Sequence, residues 1–98
     1  MDINLSELQV VDDAAKHRFE VHVAGETAFL DYARGGDTIT YLHMEVPKSL
    51  EGHGIAGVLA QYALDYARAG HLQVIPVCPY VREYIRSGRD KHAAQPKQ

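Results

Sequence analysis

The feature that most constrains this chain is a glycine-bearing junction at residues 46–57, where a strand-like stretch stops and a helical pattern begins. Pro47 ends the strand. Gly52 and Gly54 have no Cβ atom, so the main chain can reach positive φ and a ligand can approach it closely. The first N–H groups of a helix lack partners within the helix, and the helix dipole adds positive charge there. The junction therefore predicts an anion site, for which a phosphate or pyrophosphate is the natural ligand.

Three stretches before the junction alternate apolar and polar residues with the period of two that is typical of half-buried strands. They cover residues 17–23, 27–33 and 38–46, and turn signals separate them at residues 24–26 and 34–37. Short turns join antiparallel neighbours, so we predict an antiparallel meander. Strict alternation along the third strand predicts that one of its faces carries Ile39, Tyr41, His43 and Glu45.

After the junction, apolar residues recur at helical spacing from Ile55 to Tyr66, and Gly70 stands as a stop signal. Residues 71–77 read as a fourth strand, and residues 79–86 as a short helix that begins with proline. A helix between the third and fourth strands makes a crossover, so these two strands should be parallel. We predict one α/β (α+β) domain over residues 1–87, followed by a loose polar tail over residues 88–98.

The composition narrows the range of partners. A formal net charge of -3 argues against general affinity for nucleic acid, which needs clustered Lys and Arg. No apolar run approaches the ~20 residues that cross a bilayer, and the chain start lacks the features of a secretory signal. Together with the single cysteine, this predicts a cytoplasmic protein without a membrane partner. The histidines show no metal-ligand spacing beyond His43 with Glu45, so no metal site is predicted.

Three segments, residues 40–47, 50–56 and 77–85, resemble the acetyl-CoA-binding core of the GNAT superfamily of N-acetyltransferases. The whole chain is most similar to the small GNAT-like proteins of the YjdJ type. The resemblance implies a minimal GNAT-like fold: antiparallel strands 1–3, a crossover helix, a fourth strand parallel to the third, and a short C-terminal helix. It also implies that acetyl-CoA is the cosubstrate and that the acceptor is an amine, including that of a peptide or protein.

The resemblance, carried over position by position, also implies a binding set for CoA. The end of the third strand would lie beside the pantetheine arm, through Met44 and Val46 with Glu45 between them. The loop and the helix start would bind the pyrophosphate, mostly through the main chain. This second set comprises Glu51, Gly52, His53, Gly54, Ile55, Ala56 and Gly57.

Acetyl transfer needs a base for the incoming amine and a proton for the departing thiolate, and four residues are candidates. Glu45, or His43 on the same strand face, would accept the proton; such a pair is also a common solvated strand edge. Cys78, placed before a helix start, would act as nucleophile or as thiol-side acid, or is simply a small buried residue. Tyr80 would supply a phenolic proton, or would only pack its helix onto the sheet.

Two other functions stay open at this point. In the first, the chain is a non-catalytic module that binds CoA without turnover. In the second, it is a small interaction domain whose sheet edge, or whose surface around Tyr80 and Tyr84, contacts a protein partner. A test of CoA binding distinguishes the interaction domain from the enzyme. A test of acetyl transfer distinguishes the non-catalytic module from the enzyme.

Overall fold

Residues 2–93, the part of the chain that the computed structural model describes, form a five-stranded sheet with two helices. The strands are β1 (Val11–Asp13), β2 (Arg18–Val23), β3 (Glu26–Gly35), β4 (Thr38–Glu45) and β5 (Gln73–Pro76). The helices are α1 (Ile55–Ala69) and α2 (Pro79–Arg86), and single 3-10 turns occupy Leu5–Glu7 and Lys48–Leu50. The predicted α/β class is confirmed.

The strands follow one another across the sheet in chain order, from β1 to β5. β1 to β4 pair antiparallel, and β5 pairs parallel to β4 after the α1 crossover, as predicted. The strand β1 was not predicted, because three residues are too few to show a period. Both helices contact the sheet and each other, so they lie on the same face, and we call the opposite face the open face.

The prediction that Ile39, Tyr41, His43 and Glu45 share a face is wrong. The pairing of β3 with β4 shifts by one residue at Leu42, since Tyr32 pairs with Tyr41 and the preceding residue, Asp31, pairs with His43. This bulge reverses the alternation. Ile39 and Tyr41 are buried beneath the helices, whereas His43 and Glu45 are exposed on the open face.

Aromatic rings fill the core between the sheet and α1. The ring of Phe19, fully buried, lies 4.8 Å from that of Tyr32 and 5.0 Å from those of Tyr62 and Tyr66, measured between centroids. The buried Tyr41 hydroxyl donates a hydrogen bond of 2.5 Å to the backbone oxygen of Ala63 in α1. Because a buried hydroxyl without a partner is costly, this bond fixes the position of α1 over β4.

The segment after α2 is bonded back onto α1. Asp90 accepts hydrogen bonds from Gln61 Nε2 at 2.9 Å and from Arg68 Nη2 at 2.6 Å. The Lys91 backbone N–H donates to Gln61 Oε1 at 2.9 Å. The loose tail was predicted for residues 88–98, of which residues 94–98 lie outside the described part, and the domain boundary at residue 87 stays a prediction.

These contacts give Asp90 a pH-dependent contribution to stability. Burial alone raises the pKa of Asp90, but the hydrogen bonds from Gln61, the His92 N–H and Arg68 outweigh burial and hold it below its ordinary value. A carboxyl with a depressed folded pKa stabilises the fold above its unfolded pKa and loses that contribution as pH falls through the folded value. We expect Asp90→Asn to be less stable than the unmodified chain at pH about 7, and the difference to shrink below about pH 4. Urea unfolding across this range measures it, and a constant difference would contradict the assignment.

Candidate active site

The loop before α1 has the backbone shape that the sequence predicts. Gly52 and Gly54 have φ values of 82° and 87°. Gly54 is the N-cap of α1 and has no side chain with which to cap the helix, so the amides of the first turn point outward without a side-chain acceptor. This is the geometry that an anion requires.

A cavity of about 310 Å³ opens at this loop. It brings together the end of β4, the loop, the first turn of α1 and one residue of α2. Its lining consists of Val46, Leu50, Glu51, Gly52, Gly54, Ile55, Ala56 and Tyr80. Most of the residues predicted to bind the cosubstrate therefore meet in space. Met44 and His53 are half-buried close by along the chain, and Gly57 lines a different cavity, described below.

The two parallel strands separate beside this cavity. β4 pairs with β5 only as far as Tyr41 with Pro76, and then continues to Glu45 with its β5-side edge unpaired. The Cys78 N–H donates to the Tyr41 backbone oxygen at 2.7 Å. This bond closes the base of the opening between β4 and β5, which we call the gap. Free N–H and C=O groups along such an edge suit an extended ligand that carries amides of its own.

Cys78 is buried in the core and is only 1% exposed. It is the N-cap residue of α2, as its place before the helix predicts. In this position its thiol has no open path to solvent, which fits the alternative of a small buried residue. Its roles as nucleophile or as thiol-side acid stay predictions.

His43 and Glu45 lie together on the open face. The distance from His43 Nε2 to Glu45 Oε2 is 3.5 Å, and their side chains are 62% and 63% exposed. The His43 ring also meets the edge of the Phe29 ring at 6.3 Å between centroids. The pair is therefore accessible to a ligand that approaches from the side opposite to the helices.

Tyr80 lies on the helix side of the gap. Its hydroxyl is 3.7 Å from the point that a Cβ on Gly57 would occupy, so α2 meets α1 close to the helix start. Burial raises the pKa of the neighbouring Tyr84, whose hydroxyl donates to Gln61 Oε1 at 2.8 Å. Three of the four predicted catalytic residues thus flank the gap, Tyr80 on one side and His43 and Glu45 on the other, while Cys78 lies at its base.

Sequence reasoning missed a second cavity, of about 610 Å³, on the outer side of α1. The N-terminal segment and the segment after α2 both contribute to its lining. The full set is Leu5, Leu8, Val10, Gly54, Gly57, Val58, Gln61, Tyr62, Tyr80, Tyr84, Arg89 and Lys91. The three-residue spacing of Leu5 and Leu8 was the one local signal that the N-terminal segment packs. Leu5 lies close to Gly54: a Cβ added to Gly54 would be 2.9 Å from Leu5 Cδ1.

Two features are absent from residues 2–93, the part of the chain that the structure describes. No helix in that range has the length and apolar character needed to cross a membrane. Nor does that range contain three or more His, Cys, Asp or Glu side chains grouped so that they could hold a metal ion.

Comparison with known proteins gives a family match over most of the chain. The family model described as GCN5-related N-acetyl-transferase matches residues 18–94. Protein NATD1 of Gallus gallus is 35% identical over 82 residues, which cover 81% of this chain and 74% of that protein. Protein NATD1 of Homo sapiens is 34% identical over 82 residues, with 81% and 73% covered. The Xenopus tropicalis protein of the same name is 32% identical over 84 residues, with 83% and 77% covered.

Proposed function

Because the chain belongs to the GCN5-related N-acetyltransferase family, we propose that it binds acetyl-CoA and transfers the acetyl group to an amine. The observation that carries the proposal is the separation of β4 from β5 next to the glycine loop. We further propose that the chain belongs to the small YjdJ-type branch and works in the cytoplasm, where a single thiol stays reduced.

In this proposal the pyrophosphate of acetyl-CoA sits against the main-chain amides of residues 52–57, four of which line the 310 Å³ cavity: Gly52, Gly54, Ile55 and Ala56. The pantetheine arm then follows the free edge of β4 past Val46 and Met44, where its amides replace a missing strand. Glu51 lines the same cavity but is exposed, so the high dielectric of water weakens the repulsion between its carboxylate and the phosphates. The thioester reaches the gap between Tyr80 and Glu45.

The chemistry assigned to these groups is a direct transfer. The nitrogen of a neutral amine attacks the thioester carbon, the C–N bond forms, and the C–S bond breaks. Glu45, directly or through water and with His43 beside it, accepts the proton that the amine loses. Tyr80 supplies a proton to the departing CoA thiolate. Cys78 is the alternative donor, or an acetyl acceptor if the core opens around it.

Incubation with acetyl-CoA, followed by intact-mass measurement with and without a lysine amide as acceptor, tests the proposal. We expect bound cosubstrate under native conditions and acetylated lysine amide. CoA at about 100 times its Kd should add about 2.7 kcal/mol to the free energy of unfolding. Binding without transfer would indicate the non-catalytic module, and absence of both would indicate an interaction domain. A stable adduct of one acetyl group, lost in Cys78→Ala, would indicate a covalent route.

Gly52→Ala should weaken CoA binding by about tenfold, because the added Cβ would hold the phosphate away from the main-chain amides. Gly25→Ala is the matched control: both glycines have positive φ, 82° and 80°, and a Cβ at either one meets nothing within 4 Å. Each variant should lose about 1–2 kcal/mol of stability from backbone strain, but only Gly52 lines the proposed pyrophosphate site. Isothermal titration calorimetry measures the CoA affinity of both variants. Equal affinities would contradict the placement of the pyrophosphate at Gly52.

A further inference from the structure

Three exposed apolar side chains lie on the chain segments that border the gap between β4 and β5. Leu42, Ile75 and Val77 are 42%, 41% and 50% exposed. Ile75 pairs with Thr40 on the open face. Leu42 lies at the bulge of β4, and Val77 follows the end of β5, so both belong to the chain segments where the two strands separate. Single exposed apolar residues are ordinary, whereas a contiguous group at the mouth of a site indicates a binding surface. We call these three residues the apolar rim.

The sheet surface next to the rim is negatively charged. Among the described residues, the open face carries four carboxylates and the Arg18 guanidinium, and the Lys16 ammonium lies at its margin, 4.0 Å from Asp13. The carboxylates are those of Asp13, Glu20, Asp31 and Glu45. Arg18 is already engaged: its Nε lies 3.2 Å from Asp31, and its guanidinium covers the Phe29 ring at 3.8 Å. The face therefore complements a cation better than an anion.

We propose that the open face binds the acceptor, and that the acceptor is a lysine in a peptide segment with an apolar residue next to it. This inference rests on the proposed function. The lysine amine would enter the gap beside Glu45, while the apolar neighbour covers the rim. A small polyamine would satisfy the negative charge but would leave Leu42, Ile75 and Val77 in water.

Peptide binding is tested without turnover. The probes are two blocked pentapeptide amides, one with the core Leu-Lys-Leu and one with Asp-Lys-Asp. In methyl NMR spectra we expect the first to shift the signals of Leu42, Ile75 and Val77 and to leave that of Ile85 in place. Ile85 is the internal reference, since it is 40% exposed but lies on α2. Unshifted rim methyls would overturn the inference.

Acetyl transfer gives the second measurement. We expect kcat/KM to be about tenfold higher for the Leu-Lys-Leu peptide than for the Asp-Lys-Asp peptide. The double variant Ile75→Thr, Val77→Thr should remove that preference without changing the Kd for CoA, while Ile85→Thr should keep it. Threonine preserves strand propensity, so the variant tests the apolar surface rather than the fold.

The outcomes separate this inference from the proposed function. Transfer to both peptides at equal rates, or transfer to spermine but to neither peptide, would overturn the inference and leave the acetyltransferase standing. Absence of CoA binding and of transfer would reject the acetyltransferase. In that case the methyl shifts still decide whether the open face binds the peptide.

Discussion

The Glu45→Gln variant should transfer acetyl groups about 10²- to 10⁴-fold more slowly than the unmodified chain, the range typical for loss of a general base. The amide keeps the size and much of the polarity of the carboxylate but cannot accept the proton of the incoming amine. Because the Glu45 side chain is 63% exposed and lies on the open face, the fold should be unaffected. Single-turnover kinetics at saturating acetyl-CoA isolate this step from cosubstrate binding.

Glu83→Gln is the control for this substitution. Glu83 is also an exposed carboxylate, but it lies on α2, where it pairs with Arg86. That variant should retain the full rate, and both variants should bind CoA normally. An unchanged single-turnover rate in Glu45→Gln would remove Glu45 from the mechanism, and His43→Gln would then be the next variant to measure.

Phe19→Ala should lower the free energy of unfolding by about 3–5 kcal/mol, the range for removal of a fully buried aromatic ring. The Phe19 ring is the centre of the core, with the rings of Tyr32, Tyr62 and Tyr66 within 5.0 Å between centroids. Its loss leaves a cavity that α1 and the sheet cannot both close. For a domain this small, that is a large share of the total stability.

Phe29→Ala is the matched substitution on the opposite face. Phe29 is half-buried and contacts Arg18 and His43 rather than the core, so a loss of about 1–2 kcal/mol is expected. Urea unfolding of the two variants gives the comparison. Equal losses would mean that the open face contributes as much to stability as the helix-covered face.

The elements with local signals were predicted well. The bounds of α2 are those predicted, because Pro79 at the first turn marks the start in the sequence itself. The helix α1 begins at Ile55, after the glycine loop, and ends before Gly70, both as predicted. The 310 Å³ cavity at the loop before α1 was predictable from the same local signals, since most of its lining comes from one continuous stretch of chain.

The bulge at Leu42 could not be predicted from the sequence of β4, because its signal lies in the pairing with β3. One extra residue changes which side chains share a face, and so His43 and Glu45 lie away from the buried Tyr41. The alternation rule still placed His43 and Glu45 on a common face, because both residues follow the bulge.

The second cavity was missed for a related reason. Leu5 and Lys91 are far apart in sequence, and only the packed fold brings them to the same surface of α1. Hydrophobic spacing predicts that a segment packs against the rest of the protein, but it does not identify the residues that it contacts. Long-range contacts of this kind depend on the whole tertiary arrangement.

The meeting of Leu5 and Lys91 at this cavity also has a practical consequence for labelling. An affinity tag or a fluorescent protein fused beside either residue would crowd the surface next to the glycine loop. It would then reduce ligand binding in the way that an inhibitor does. The β3–β4 turn around Gly36 is at the other end of β4, about 25 Å away by the rise of the strand. A dye attached at that turn would report on binding without standing in its way.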